Sequence, residues 1–156
     1  MNRVSIRPAV ADDVPVIAAL LERLAQQYIT VEFSASAEAK FLKSNDAASI
    51  STFIASGFRY WVAERSGAVI GFVGIRDHFH LYHLFVSESE QRKGVARALW
   101  DTANRACRAA GNPGRFTVNS SNNAVGVYES FGFVRTGPPQ SSDGVVFNPM
   151  VLENAR

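Results

Sequence analysis

The stretch Gln91-Arg92-Lys93-Gly94-Val95-Ala96-Arg97 gathers the groups that a small anion needs. It follows an apolar run ending Leu84-Phe85-Val86 and precedes a helical pattern, so it reads as a strand, a polar turn and the first turn of a helix. Backbone N–H groups that head a helix have no acceptor within it and lie at the positive end of its dipole, a favourable place for phosphate. Gly94 lets an oxygen approach the backbone, Ala96 is the next smallest residue, and Gln91, Arg92, Lys93 and Arg97 can add side-chain donors. The segment lacks the glycine count and the Lys-Ser/Thr ending of a loop that hydrolyses nucleoside triphosphates. The same residues also suit a plainer reading, a solvated basic helix start with a glycine for clearance. Nearby, His78, His80 and His83 fall together. An imidazole of ordinary pKa, about 6.5, can move a proton near neutral pH. No cysteine or carboxylate cluster joins these histidines at metal-ligand spacing, so no metal is expected. Cys107 reads as a small buried residue within a helix, since no basic partner for a nucleophile is evident.

These groups need elements to hold them. Val4 and Ile6 alternate with polar residues, a strand over 3–7 that Pro8 ends. Asp12 or Asp13 then caps a helix whose Val14, Ile17, Leu21, Leu24 and Tyr28 fall at helical steps along one stripe. Shorter helical pieces are expected over 37–42 and 47–55, with Gly57 as the stop. Strands over 58–64 and 69–75 meet across Ser66-Gly67 as a hairpin, and 80–86 forms a third. Strand alternation places His80, Tyr82, Leu84 and Val86 on one face and Leu81, His83 and Phe85 on the other, so His80 and His83 should face opposite ways. A helix over 94–110 follows, stopped at Gly111 and Pro113, then a strand over 115–119 and a helix over 122–131. Final strands over 133–135 and 145–152 flank the turn-rich Gly-Pro-Pro-Gln-Ser-Ser-Asp-Gly. Strand–helix–strand units from His80 onward require part of the sheet to be parallel, an α/β (α+β) arrangement.

The chain has 156 residues, 47% of them hydrophobic, which suits one globular domain spanning 1–156 with a substantial core. Apolar runs are too short to cross a bilayer and no leader pattern opens the chain, so a cytoplasmic protein without a membrane partner is expected. Sixteen Lys+Arg against 14 Asp+Glu leave a formal charge of only +2, and the cations are scattered. No nucleic-acid partner is expected from that pattern.

Gln91-x-x-Gly94-x-Ala96 after a strand ending Leu-Phe-Val, followed by Tyr128-Glu-Ser-Phe-Gly-Phe133, resembles the GCN5-related N-acetyltransferase (GNAT) family. The resemblance runs over the whole element order and is most specific over 80–133. It implies a mixed, mostly antiparallel sheet of about six to seven strands flanked by about four helices. It also implies direct transfer of acetyl from acetyl-coenzyme A, as co-substrate, to a primary amine, without a covalent enzyme intermediate. By the same resemblance the pyrophosphate rests on the N–H groups of Arg92, Lys93, Gly94, Val95, Ala96 and Arg97, and the pantetheine arm pairs with the backbone of Leu84, Phe85 and Val86. Tyr128 matches the tyrosine that protonates the departing thiolate, and His80 stands where several members carry the base that takes the amine proton, directly or through water. Where many members have an asparagine ahead of that tyrosine this chain has Ser121, and Asn119 is a further candidate to face the coenzyme. Ser121 or Asn122 can equally be a helix cap. Residues 30–60 and 137–144 are expected to shape the acceptor pocket, with the acceptor itself unspecified. Trp100 and the cluster Phe53, Phe58 and Tyr60 divide between core, acceptor pocket and the surface of a homodimer. The competing readings are a non-catalytic acyl-coenzyme A binding or sensing module and a basic interaction protein.

Overall fold

A computed structural model describes residues 3–153. In chain order the elements are β1 (Val4–Pro8), α1 (Val14–Tyr28), α2 (Ala35–Ser44), α3 (Ala47–Ala55), β2 (Arg59–Arg65), β3 (Ala68–Arg76), β4 (His80–Val86), α4 (Val95–Ala109), β5 (Phe116–Ser120), α5 (Val125–Ser130), β6 (Val134–Arg135), β7 (Gln140–Ser142) and β8 (Val145–Leu152). The strands lie in the order β1-β2-β3-β4-β5-β8-β6, with β7 paired to the start of β8. All pairings are antiparallel except β4–β5. The class is the mixed, mostly antiparallel α/β arrangement expected, with eight strands and five α-helices among the described residues.

Local sequence explains most of these elements. Ser66 and Gly67 both take positive φ, 53° and 79°, so Arg65 pairs with Ala68 across a two-residue turn whose twist suits a hairpin. Asp143 and Gly144 repeat the geometry at 53° and 82° and pair Ser142 with Val145. That second hairpin makes β7 from a segment read as loop: Gln-Ser-Ser has weak strand propensity, but the Asp-Gly turn brings it beside β8. Asp13 takes the cap position of α1 without capping it, because its carboxylate receives Arg7 at 2.8 and 2.9 Å and the Val10 amide at 2.7 Å. Ser34 caps α2 through the Ala37 amide, so that helix starts earlier and runs longer than 37–42.

The sheet has a core on each face. On one side α4 and α5 pack Leu99, Trp100 and Tyr128 against Val73, Leu81, Phe116 and Phe133. Trp100 is 2% exposed and meets Phe116 and Phe133 edge-on at 4.9 and 5.5 Å, contacts worth about 0.5–1.5 kcal/mol each beyond the area they bury. On the other side α1 and α3 set Ile17, Leu21 and Ile50 against Tyr60, Val62 and Phe72. Trp100 and Tyr60 are therefore core residues. Among the described residues no helix is long and apolar enough to cross a membrane.

Candidate active site

The site begins with a fault in β4. Leu81 opposes Ile75 and His83 opposes Gly74, so Tyr82 is an extra residue with no partner across β3. Such a bulge bends a strand and reverses its alternation. Leu81, Leu84 and Val86 consequently all join the core under α4, whereas His83 and Phe85 lie among Tyr60 and Phe72 on the α1 face. His80 is opposite Leu81 in alternation and sits 2.7 Å, Nδ1 to Oγ1, from Thr117, whose neighbours Phe116 and Val118 point into the α4 core. His80 and His83 thus share one face, contrary to the simple alternation, because the inserted Tyr82 shifts the parity between them.

The bulge also parts β4 from β5. Only His80 with Thr117 and Leu81 with Val118 are paired, after which the two parallel strands separate. The β5-facing backbone of β4 beyond Leu81 is left without a strand partner, an open edge suited to an extended, amide-bearing ligand. Leu84 and Phe85 are half-buried along that edge, and Val86 turns its side chain into the core while its carbonyl accepts the Gln91 side-chain amide.

The loop between β4 and α4 follows. A short 3₁₀ turn, Glu88–Glu90, leads to Gln91, and then Arg92 and Gly94 take positive φ of 63° and 85° before α4 begins at Val95. The Ala98 amide makes the first helical bond, to Gly94 O at 3.0 Å, so the amides of Val95, Ala96 and Arg97 precede the ladder. Side chains play a smaller part than the sequence suggested. Gln91 donates its amide to the Val86 carbonyl at 3.0 Å, tying the loop to the strand end instead of offering a donor outward. Arg97 donates to the Ser130 carbonyl at 2.7 Å and lies over the Phe131 ring at 5.0 Å, linking α4 to α5. Arg92 is exposed, and Lys93 stands 4.0 Å from Glu90, which Arg65 also contacts at 3.0 Å.

Tyr128 is 6% exposed on α5, edge-on to Phe131 and Phe133. Burial pushes its phenol above the ordinary value of 10, so it is a protonated group. Among the described residues its hydroxyl has no hydrogen-bond partner, which leaves it available as a donor. His80 is 8% exposed, and burial, helped by Arg76, lowers its pKa to about 4. The ordinary value of 6.5 expected for it therefore fails: His80 is neutral throughout the neutral range. Asn119 is exposed on β5, and Ser121 opens the 3₁₀ turn Asn122–Ala124 without capping it through its side chain. His78 belongs to the β3–β4 turn, with φ 61°. Burial raises the Cys107 thiol to about 11, in keeping with an inert core residue.

On the α1 face a shallow, open groove of about 510 Å³ is lined by Ser44, Ala48, Ser49, Thr52 and Phe53 of the α2–α3 corner and by Tyr82 of the bulge. Phe53 and Phe58 stack at 4.8 Å and each meets Tyr82 edge-on at 5.2 Å. The β7–β8 turn comes close to the same region, since a Cβ at Gly144 would lie 3.1 Å from both Ala37 and Ser34. The tertiary partners of two residues, His83 and Asn122, were not foreseen from the sequence. His83 is buried beneath this wall, and Asn122 joins the turn after α1 to strand β8 by donating to Glu32 at 2.7 Å while accepting from Asn148 at 2.8 Å. Neither carries a local signal, because their partners are remote in sequence.

Residues 19–154 match the family model described as an acetyltransferase (GNAT) domain. Human N-acetyltransferase 8 is 34% identical over 92 residues, covering 52% of this chain and 40% of that protein, so the chain spans less than half the length of that relative. A GCN5-related N-acetyltransferase from Rhodopseudomonas palustris superposes with a TM-score of 0.80 at 22% identity, over 98% of this chain and 97% of that one. The PaiA N-acetyltransferase of Thermoplasma acidophilum, solved with coenzyme A, gives 0.78 at 16% identity over 97% and 99%.

Proposed function

Because the chain belongs to the GNAT acetyltransferase family, we propose that it transfers acetyl from acetyl-coenzyme A directly to a primary amine. The observation that carries this reading is the splay of β4 from β5 beyond Leu81, which opens a strand edge leading to the loop at 91–97. The pantetheine amides pair along Leu84, Phe85 and Val86, and the pyrophosphate meets the amides of 92–97. The acceptor enters from the groove beside Tyr82, so donor and acceptor meet at the bulge. Residues 1–156 are read as one acetyltransferase domain, supported by the family match over 19–154.

The amine arrives as an ammonium, of pKa about 10.4 for a lysine-type group, and must lose a proton before its lone pair attacks the thioester carbon. A neutral His80 accepts that proton transiently, directly or through water, and its low basicity returns it readily to solvent. The N–C bond forms as the carbonyl becomes an oxyanion, for which unpaired N–H groups of β4 are the available donors. Collapse breaks the C–S bond: Tyr128 gives its proton to the departing thiolate, and the second proton that the nitrogen must shed restores the Tyr128 phenol, directly or through water, leaving the neutral amide and free coenzyme A.

The test has two stages. Saturating acetyl-coenzyme A should raise the melting temperature, and thiol release should then appear with at least one member of a panel of small amines, amino acids and peptide N-termini. Binding without thiol release across the panel would identify a coenzyme sensor instead. Absence of binding would remove the assignment.

A further inference from the structure

One buried chain of hydrogen bonds has no place in the scheme above. Tyr60 Oη lies 2.7 Å from His83 Nδ1, His83 Nε2 lies 2.8 Å from Asn45 Oδ1, and Asn45 Nδ2 donates to the Phe41 carbonyl at 2.8 Å. The directions follow from one another. An amide oxygen only accepts, so Nε2 carries the imidazole proton, Nδ1 accepts, and the tyrosine hydroxyl donates. Tyr60, His83 and Asn45 are 4%, 5% and 6% exposed. A Cβ at Gly74 would overlap the Tyr60 ring, so that glycine gives the phenol its passage across β3. Burial keeps His83 neutral, its pKa pushed down to about 3, so the chain holds no charge that solvent could compete for.

Its two middle members explain its use. His83 directly follows Tyr82, the inserted residue of the bulge, and Asn45 is the turn between α2 and α3. Those two places form the two walls of the groove, which is lined by Ser44, Ser49, Thr52 and Phe53 on one side and Tyr82 on the other. Apolar contacts such as Ile50 in the α1 core hold the helices against the sheet but are non-directional. A buried hydrogen bond has a narrow range of length and angle and so sets the offset of one wall from the other.

We propose that His83 is a positioning residue for the acceptor, setting the width of the groove between the α2–α3 corner and Tyr82 and leaving the donor channel unaffected. This rests on the acetyl-transfer reading. His83→Asn keeps an acceptor near the Nδ1 position for Tyr60 but gives up Asn45, while His83→Gln keeps a donor near the Nε2 position for Asn45 but gives up Tyr60. Losing the wall-to-wall bond while its buried partner remains should raise the acceptor KM about tenfold in His83→Asn. The acetyl-coenzyme A KM and kcat should stay within about twofold. His83→Gln should stay within about threefold of the parent acceptor KM, and Asn45→Ala makes the same cut from the other wall should His83→Asn fail to fold. Amide hydrogen exchange should quicken over 43–49 and remain unchanged over 91–97 in His83→Asn and Asn45→Ala, a measurement that needs no turnover. A parent protein that acetylates no amine would therefore defeat the acetyl-transfer reading while exchange still tested the tie. Equal changes in both KM values, a glutamine variant no better than asparagine, or unaltered exchange over 43–49 would each overturn the positioning role.

Discussion

The donor and acceptor sides proposed for β4 differ in what builds them. Toward α4 the working surface is backbone: the open edge beyond Leu81 and the amides that head α4. The side chains there are turned to other tasks, Gln91 to the Val86 carbonyl, Arg97 to Ser130, Val86 and Val95 to the core. Toward α1 the surface is made of side chains, with Phe53, Tyr82 and corner hydroxyls lining a groove above Asn45, His83 and Tyr60. A backbone surface tolerates most substitutions but needs particular φ values and small residues, so it leaves a short motif. A side-chain surface draws on residues far apart and leaves none.

The sharpest test of that contrast is the exceptional donor-side side chain. Tyr128→Phe should lower kcat about 100-fold with little change in acetyl-coenzyme A affinity, as loss of a general acid would. Unchanged turnover would make Tyr128 a core residue and the donor side wholly backbone. Gly94→Val should come next, weakening acetyl-coenzyme A about tenfold or more, because φ 85° is costly for a β-branched residue and a side chain would meet the approaching phosphate. Gly67→Val, at φ 79° in the distant hairpin, is its control and should lose similar thermal stability with no loss of coenzyme affinity. Equal affinity losses in the two variants would mean that Gly94 matters only for folding.

A smaller effect separates the histidines from a simple titrating base. Their folded pKa values, about 4 and about 3, lie below the ordinary 6.5, so as pH falls the unfolded chain takes up protons first. The stability they contribute is complete above about pH 6.5 and is lost as pH falls toward 4 for His80 and 3 for His83. His80→Gln should flatten that acid loss by up to about 1.4 kcal/mol per pH unit in denaturant titrations. The rate–pH profile from 6 to 9 should keep its alkaline rise in the variant, since the acceptor amine supplies it; its disappearance would restore an ordinary pKa to His80. Smallest of all, Arg97→Ala should change acetyl-coenzyme A affinity by less than about twofold while lowering Tm, because its guanidinium serves Ser130 and Phe131.

Much of the fold was legible locally. The stripe of Ile17, Leu21 and Leu24 and the Ser66-Gly67 turn declare a helix and a hairpin by periodicity and φ preference. The Asp143-Gly144 turn carried the same signal for β7 but stood among residues of weak strand propensity. What escaped was set by pairing. The bulge at Tyr82 arises from how β3 and β4 register, and no local feature of His80-Leu81-Tyr82-His83 announces it, so the facing of two histidines was inverted.

The sequence by itself determined the α/β class of the chain and the strand–loop–helix at 84–97, because each depends on residues close together and on backbone preferences; Tyr128 of the last helix was singled out by the family resemblance. Tertiary structure alone decided the pKa of His80, the partners of Gln91 and Arg97, and the tie from Asn45 through His83 to Tyr60. The physical reason is shared: burial and hydrogen-bond partnership are properties of three-dimensional surroundings, and β4 acquires those surroundings only when α2, α3, β2 and β5 have packed around it.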